Sequence, residues 1–318
     1  MRVLPWLAAL VLASTLPLGA PAAPLLTPAE LVARQADPAL RVIDIRSGKD
    51  VAGRTPHELG HVAGSLPAPY PKWRGPAHNP GALPAPDALT ALVQSLGITA
   101  DTPVVIVYQG RDGTDFGAAA RVYWTLKAAG VRDLAILNGG IVAWQAAGLP
   151  LHTGPALRVA RTSFLPQLDP RLVATREEVQ QALQSKQGVL LDARPARFFS
   201  GQTRHAAAAA PGTIAGSRNV DNAVWFAKGG GALLDTPAVL RIAREQGIDT
   251  SRPAVSFCNT GHWAATNWFV LSELLGQPDV SLYPESMVEW SRSGGAMDNV
   301  PSRPYQAWFQ LREAIGSL

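Results

Sequence analysis

The chain repeats itself, and a long internal repeat constrains the fold more than any single motif in it. Thr27-Pro28-Ala29-Glu30-Leu31 returns as Thr175-Arg176-Glu177-Glu178-Val179, and Arg41-Val42-Ile43-Asp44-Ile45-Arg46 returns as Val189-Leu190-Leu191-Asp192-Ala193-Arg194. Gly60-His61-Val62-Ala63-Gly64-Ser65 pairs with Gly212-Thr213-Ile214-Ala215-Gly216-Ser217, and Pro103-Val104-Val105-Ile106-Val107-Tyr108 with Pro253-Ala254-Val255-Ser256-Phe257-Cys258. Last, Leu137-Asn138-Gly139-Gly140-Ile141-Val142-Ala143-Trp144 pairs with Tyr283-Pro284-Glu285-Ser286-Met287-Val288-Glu289-Trp290. Five blocks in one order at a nearly constant offset make the chain a tandem duplication. Within each copy the Thr with Glu three residues on is a capping box that starts a helix. The apolar runs (Val104 to Val107, Ala135 to Leu137, Val189 to Leu191) are short and do not alternate, the pattern of parallel strands buried on both faces. Helical segments alternate with them, so the class is α/β, each copy a parallel sheet covered by helices on both faces. The first unit is expected over residues 25–150 and the second over 171–318. A proline-rich linker, 151–170, lies between them. Apolar Trp308, Phe309, Leu311 and Ile315 predict a C-terminal helix that packs on one of the domains. Trp124, Trp144, Trp268 and Trp290 fall at helix positions and are expected in the core.

Cys258 is the only cysteine among 318 residues. It ends the short strand Ala254 to Phe257 and precedes a polar, glycine-containing turn and an apolar helix from Trp263. At such a strand-to-helix turn, free backbone N–H groups and the positive end of the helix dipole favour an anion, and a thiolate is the reactive form of cysteine. A lone thiol is otherwise a small buried hydrophobe; the setting favours a nucleophile.

Met1 and Arg2 open an apolar run to Leu18 that ends in Gly19-Ala20-Pro21-Ala22. This reads as a secretory signal peptide, residues 1–22, cut after Ala22. The run is short for a membrane span, although a retained anchor is the alternative. An exported, periplasmic protein is expected to pair its cysteines or carry none, so a single one is either buried or chemically employed. The net charge of +4 is spread without a basic run or stripe, which argues against nucleic acid as a partner. His57, His61, His78, His152 and His205 show no metal-ligand spacing, and one cysteine makes a zinc site unexpected. No cofactor is expected.

With both copies laid out, Asp44-Ile45-Arg46 and Asp192-Ala193-Arg194, the two Gly-bounded blocks, Asn219 after the second of them, and Gly139-Gly140 to Trp144 resemble the tandem rhodanese family of sulfurtransferases. The resemblance covers nearly the whole chain after the leader. It implies two rhodanese-like domains, with a degenerate first domain in which Tyr108, or Gln109, stands for the cysteine, and a catalytic second one. It also implies a persulfide on Cys258, loaded by a small anionic sulfur donor and unloaded by a thiophilic acceptor, a protein acceptor included. Thiosulfate is the favoured donor and 3-mercaptopyruvate the alternative. A non-turnover persulfide carrier and a redox-sensing thiol are the rivals from other classes. Arg197, before Phe198-Phe199, occupies a place similar to the family's substrate-binding arginine. Backbone N–H groups of Asn259, Thr260, Gly261, His262 and Trp263 are expected to cradle the sulfur anion, and Asp192 and Arg194 to support the loop.

The departure from the family lies in the loop Cys258-Asn259-Thr260-Gly261-His262-Trp263, which matches neither the basic thiosulfate type nor the Gly-Ser/Ala-Gly-Val mercaptopyruvate type. Its only ionisable side chain after the cysteine is His262. As a cation, it would weaken donor binding as pH rises through about 6.5; alternatively, it is a helix-start residue hydrogen-bonded to the fold. Cysteine phosphatases share a related fold but need an arginine that closes the loop. Neither Lys nor Arg stands between Cys258 and Arg292.

Overall fold

The computed structural model describes residues 23–308, apart from Lys186 and Arg303, together with Leu311. The expected leader, Phe309 and Ile315 lie outside the described residues.

The non-alternating runs form the middles of two sheets. In the first copy the strands are β1 (Leu25–Leu26), β2 (Arg41–Asp44), β3 (Leu66–Pro67), β4 (Val104–Val107) and β5 (Leu134–Leu137), ordered β1-β5-β4-β2-β3, all neighbours parallel. In the second they are β6 (Val189–Asp192), β7 (Thr213–Ile214), β8 (Arg218–Asn219), β9 (Ala254–Phe257), β10 (Val280–Leu282) and β11 (Met297–Asp298). Four of these repeat the parallel order as β10-β9-β6-β8. Every residue of β4 and β5 is buried, as strands covered on both faces require.

The duplication extends to details that sequence blocks do not show. The edge strand β1 survives in the second copy as a single parallel bridge, Val173 to Leu282. Conversely, the antiparallel ribbon of β7 and β11 survives in the first copy as one bridge, His61 to His152. That bridge holds the start of the proline-rich crossing on the first domain. Farther on, the Thr162 amide donates to Gln94 O, the Gln94 side chain donates to Phe164 O, and the Asp169 amide donates to Ala128 O. The crossing is therefore tied along the first domain for most of its length. Both capping boxes form: Thr27 and Glu30 start the helix Pro28–Arg34, and Thr175 and Glu178 start the helix Arg176–Ser185.

The two copies meet through the helices that follow β4 and β9. Gly113–Ala128 packs on Trp263–Phe269, which continues as one π-helical turn, Val270–Leu274. Phe116 and Tyr123 meet Phe269 edge-to-face at 5.7 and 5.0 Å, while Tyr123 Oη and Lys127 Nζ both donate to Glu273. One apolar core thereby runs through both sheets, and Trp124, Trp144, Trp268 and Trp290 are all buried. The C-terminal residues 304–308 are helical, and Tyr305 and Trp308 stack on each other, each 50% exposed.

Phe116 touches Tyr108, Phe226 and Phe269 and has no exposed surface. Phe116→Ala is expected to destabilise the protein by about 3–5 kcal/mol, since the cavity lies between two rigid helices. Urea unfolding followed by tryptophan fluorescence measures it.

Candidate active site

Strand register sets the two strand ends against each other. Asp44 pairs with Val107 and Asp192 with Phe257, so Tyr108 occupies in the first copy the position of Cys258 in the second. Tyr108, not Gln109, replaces the cysteine. Its hydroxyl accepts from the Gly139 amide and donates to Gly231 O, which locks the ring in the core.

Cys258 is almost fully enclosed, with 1% of its surface exposed. The chain turns back after it at Gly261, whose φ of +66° suits glycine. A Cβ there would also lie 2.3 Å from Arg121 Nη1 and 2.6 Å from Pro284 O, so no other residue fits. A single hydroxyl pins both ends of the turn: the amides of Cys258 and Gly261 donate to Ser286 Oγ at 3.0 and 3.1 Å, and that hydroxyl donates to Tyr283 O. Ser286 takes φ of +53°, the left-handed region that is strained for a side chain. In the first copy the matching residue is Gly140, also at positive φ. The next amides repeat one pattern in both copies: Met287 and Val288 donate to the carbonyls of Cys258 and Asn259, as Ile141 and Val142 do to those of Tyr108 and Gln109. The amides of Asn259, Thr260, His262 and Trp263 have no acceptor among the described residues.

Three guanidinium groups close around this loop. Arg194, on the second copy's own β6 strand end, is fixed by Asp192 through Nε and Nη2, donates to Gly212 O, and reaches Asn259 Oδ1 at 3.4 Å. Asp192 in turn accepts from Thr213 Oγ1. Arg46 repeats the clamp on Asp44 and Gly60 O in the first copy. The other two come from the first domain. Arg74 Nη2 donates to Thr260 O at 2.9 Å, and Arg121 Nη1 donates to Gly261 O at 3.3 Å.

The half-buried His262 ring is engaged at both nitrogens, Nδ1 with Tyr70 Oη at 2.7 Å and Nε2 with Thr114 O at 2.9 Å. Burial, and then the nearby Arg74 charge, push its pKa down to about 4. The imidazole is therefore neutral near pH 7, and of the two readings of His262 these contacts favour the helix-start residue that ties the second domain to the first. Trp263 continues this seam through Nε1 to Thr114 Oγ1. Arg197 stands exposed on the short helix Ala196–Phe199, its guanidinium 5.4 Å from the Phe198 ring, and Phe198 packs edge-to-face on Trp263.

Sequence reasoning missed Arg74, Arg121, Ser286 and Tyr70. Two of these carried a signal. Arg121 interrupts the small and apolar residues from Ala118 to Trp124, and Ser286 replaces a glycine of the other copy. Tyr70 starts the short 3-10 turn Tyr70–Trp73 and Arg74 caps it, a segment too short to carry a periodic pattern.

Comparison with known proteins agrees with this geometry. The rhodanese-like domain family matches residues 27–147 and again 175–293. The 3-mercaptopyruvate sulfurtransferase of Rattus norvegicus is 33% identical over 212 residues, which is 65% of this chain and 69% of that protein. Thiosulfate sulfurtransferase of Gallus gallus is 30% identical over 210 residues, 65% of this chain and 70% of that protein. The crystal structure of SseA from Escherichia coli, described with the rhodanese fold of 3-mercaptopyruvate sulfotransferases, superposes with a TM-score of 0.72 at 24% identity, covering 83% of this chain and 99% of that one. The chain belongs to the rhodanese family of sulfurtransferases.

Two expectations follow from the loop. Ser286→Ala leaves the Cys258 and Gly261 amides without an acceptor and should destabilise the fold by about 1–3 kcal/mol, read from urea unfolding. For His262 the folded pKa lies below the unfolded value of 6.5, so protonation favours the unfolded chain. Its contribution to stability is complete above about 6.5 and is lost as pH falls toward about 4. Buried His57 and half-buried His205 act in the same direction. His262→Gln should therefore flatten, without abolishing, the fall in unfolding midpoint across that window.

Proposed function

We propose that this sulfurtransferase moves a sulfane sulfur from an anionic donor to a thiophilic acceptor through a persulfide on Cys258, with thiosulfate preferred to 3-mercaptopyruvate. The observation that carries the reading is the single thiol at a strand end, followed by loop amides that have no acceptor among the described residues. The Cys258 thiolate attacks the outer sulfur of thiosulfate. As the new sulfur–sulfur bond forms, the old one breaks and sulfite leaves with the electron pair. A nucleophile such as cyanide then attacks the outer sulfur of the persulfide, departs as thiocyanate and returns the thiolate. The free N–H groups stabilise the charge on the sulfur in both half-reactions.

The donor preference rests on the proton inventory. Sulfite leaves as a stable anion, whereas cleavage of the carbon–sulfur bond of 3-mercaptopyruvate expels an enolate that must be protonated. The loop's one ionisable side chain beyond the cysteine is His262, and it holds no proton to give near pH 7. Exposed Arg197, joined to Trp263 through Phe198, serves to attract the donor anion. The signal-peptide-like pattern of residues 1–22 supports export with cleavage behind Ala22, and the periplasm is the compartment proposed for this chemistry.

Incubated with thiosulfate, the protein should gain the mass of one sulfur atom and lose it to cyanide or reductant. Cys258→Ser, a nearly isosteric change, should neither gain mass nor form thiocyanate. Thiocyanate formation by that variant at the native rate would refute the assignment. A higher kcat/KM for 3-mercaptopyruvate than for thiosulfate would refute the preference.

A further inference from the structure

Arg121 carries a full positive charge and has no exposed surface. Its acceptors are three backbone carbonyls, those of Gly261, Gly81 and Ala82, and its Nε has no partner among the described residues. The Trp124 ring covers one face of the guanidinium at 4.8 Å. Carbonyl oxygens bear only partial negative charge, so the pocket is left electropositive, and burial pushes the arginine down to about 9. The charges facing it from neighbouring elements do not cancel it. Arg74 has the same sign and is spent on Thr260 O and Tyr70 Oη. Burial drives the Glu285 carboxyl toward its neutral form and keeps the Tyr70 phenol protonated. His262 is neutral, and Arg194 is matched by Asp192. Among the charges that act on Arg121, the one that favours its cationic form and belongs to the reaction is the sulfur of Cys258.

We infer that Arg121, on a helix of the first domain, is the counter-charge of the sulfur anion on Cys258, with Arg74 beside it. This rests on Cys258 being the nucleophile. Arg121 acts as a positioning residue through the Gly261–His262 peptide. A guanidinium that donates to Gly261 O polarises that peptide and strengthens its other end, the His262 N–H, one of the four loop amides with no acceptor among the described residues. Arg74 does the same through Thr260 O for the Gly261 N–H that Ser286 holds. The degenerate domain thus supplies the positive charge that the loop after Cys258 lacks.

Because the protein has one cysteine, its thiolate can be titrated directly as the ultraviolet difference between each form and the same form bearing Cys258→Ser. Arg121→Met, close to arginine in size but neutral, should move the midpoint of thiolate formation up by about one pH unit or more. Arg121→Lys should restore most of that shift, and Arg74→Met should move the midpoint in the same direction by less. A folded Arg121→Met protein with the native midpoint would overturn the inference. If that variant does not fold, a native midpoint in both Arg121→Gln and Arg74→Met would overturn it as well. The titration needs no turnover: a normal shift without sulfur transfer would count against the sulfurtransferase reading and leave the role of Arg121 standing.

Discussion

The contact between the helix Gly113–Ala128 and the helix that begins at Trp263 is what the rest of the structure depends on. Each of these helices starts where a central strand ends, so packing them together brings the two strand-end crevices face to face. Phe116 and Tyr123 against Phe269 supply apolar area, and Glu273 between Tyr123 and Lys127 fixes the register. That register puts Arg121 against Gly261 and Thr114 against His262 and Trp263. A slip of one helical turn, about 5.4 Å, would separate all three at once. The geometry around the cysteine is therefore a property of the interface, not of the second domain alone.

The two copies keep the same frame and differ where chemistry enters. Both hold an Asp–Arg clamp on a glycine carbonyl, and both feed two successive amides back to the loop after the central strand. Only the second copy places a serine in the left-handed position that closes this frame. The strain is tolerated because the hydroxyl gives two converging amides an acceptor, which a glycine cannot do. The amides of Asn259, Thr260, His262 and Trp263 keep no acceptor among the described residues.

Much of the architecture was legible because it is local and occurs twice. Buried parallel strands announce themselves by unbroken apolar runs, and two copies at one offset leave little freedom in how the runs connect. Cys258 was legible because a lone thiol between a strand end and a helix start sits where backbone N–H groups favour its anion. The choice between cation and helix-start residue for His262 stayed open because a sequence does not show that both of its ring nitrogens meet partners in the other domain. Arg74 and Arg121 were missed for the same reason. They lie nearly two hundred and well over a hundred residues from the loop they touch, and periodicity reports which residues face inward but not which domain waits there.

Tyr108 shows that the difference between the copies is hard to reverse. Its phenol fills the core beside Phe116 and bridges Gly139 and Gly231, so the position equivalent to Cys258 is a structural joint between the sheet of one domain and a loop of the other. Returning a thiol there would open a void and strand two polar backbone groups. Glycine at 140 would still offer no hydroxyl to close the turn. The first domain is committed to its supporting role by packing, and no single substitution leads back.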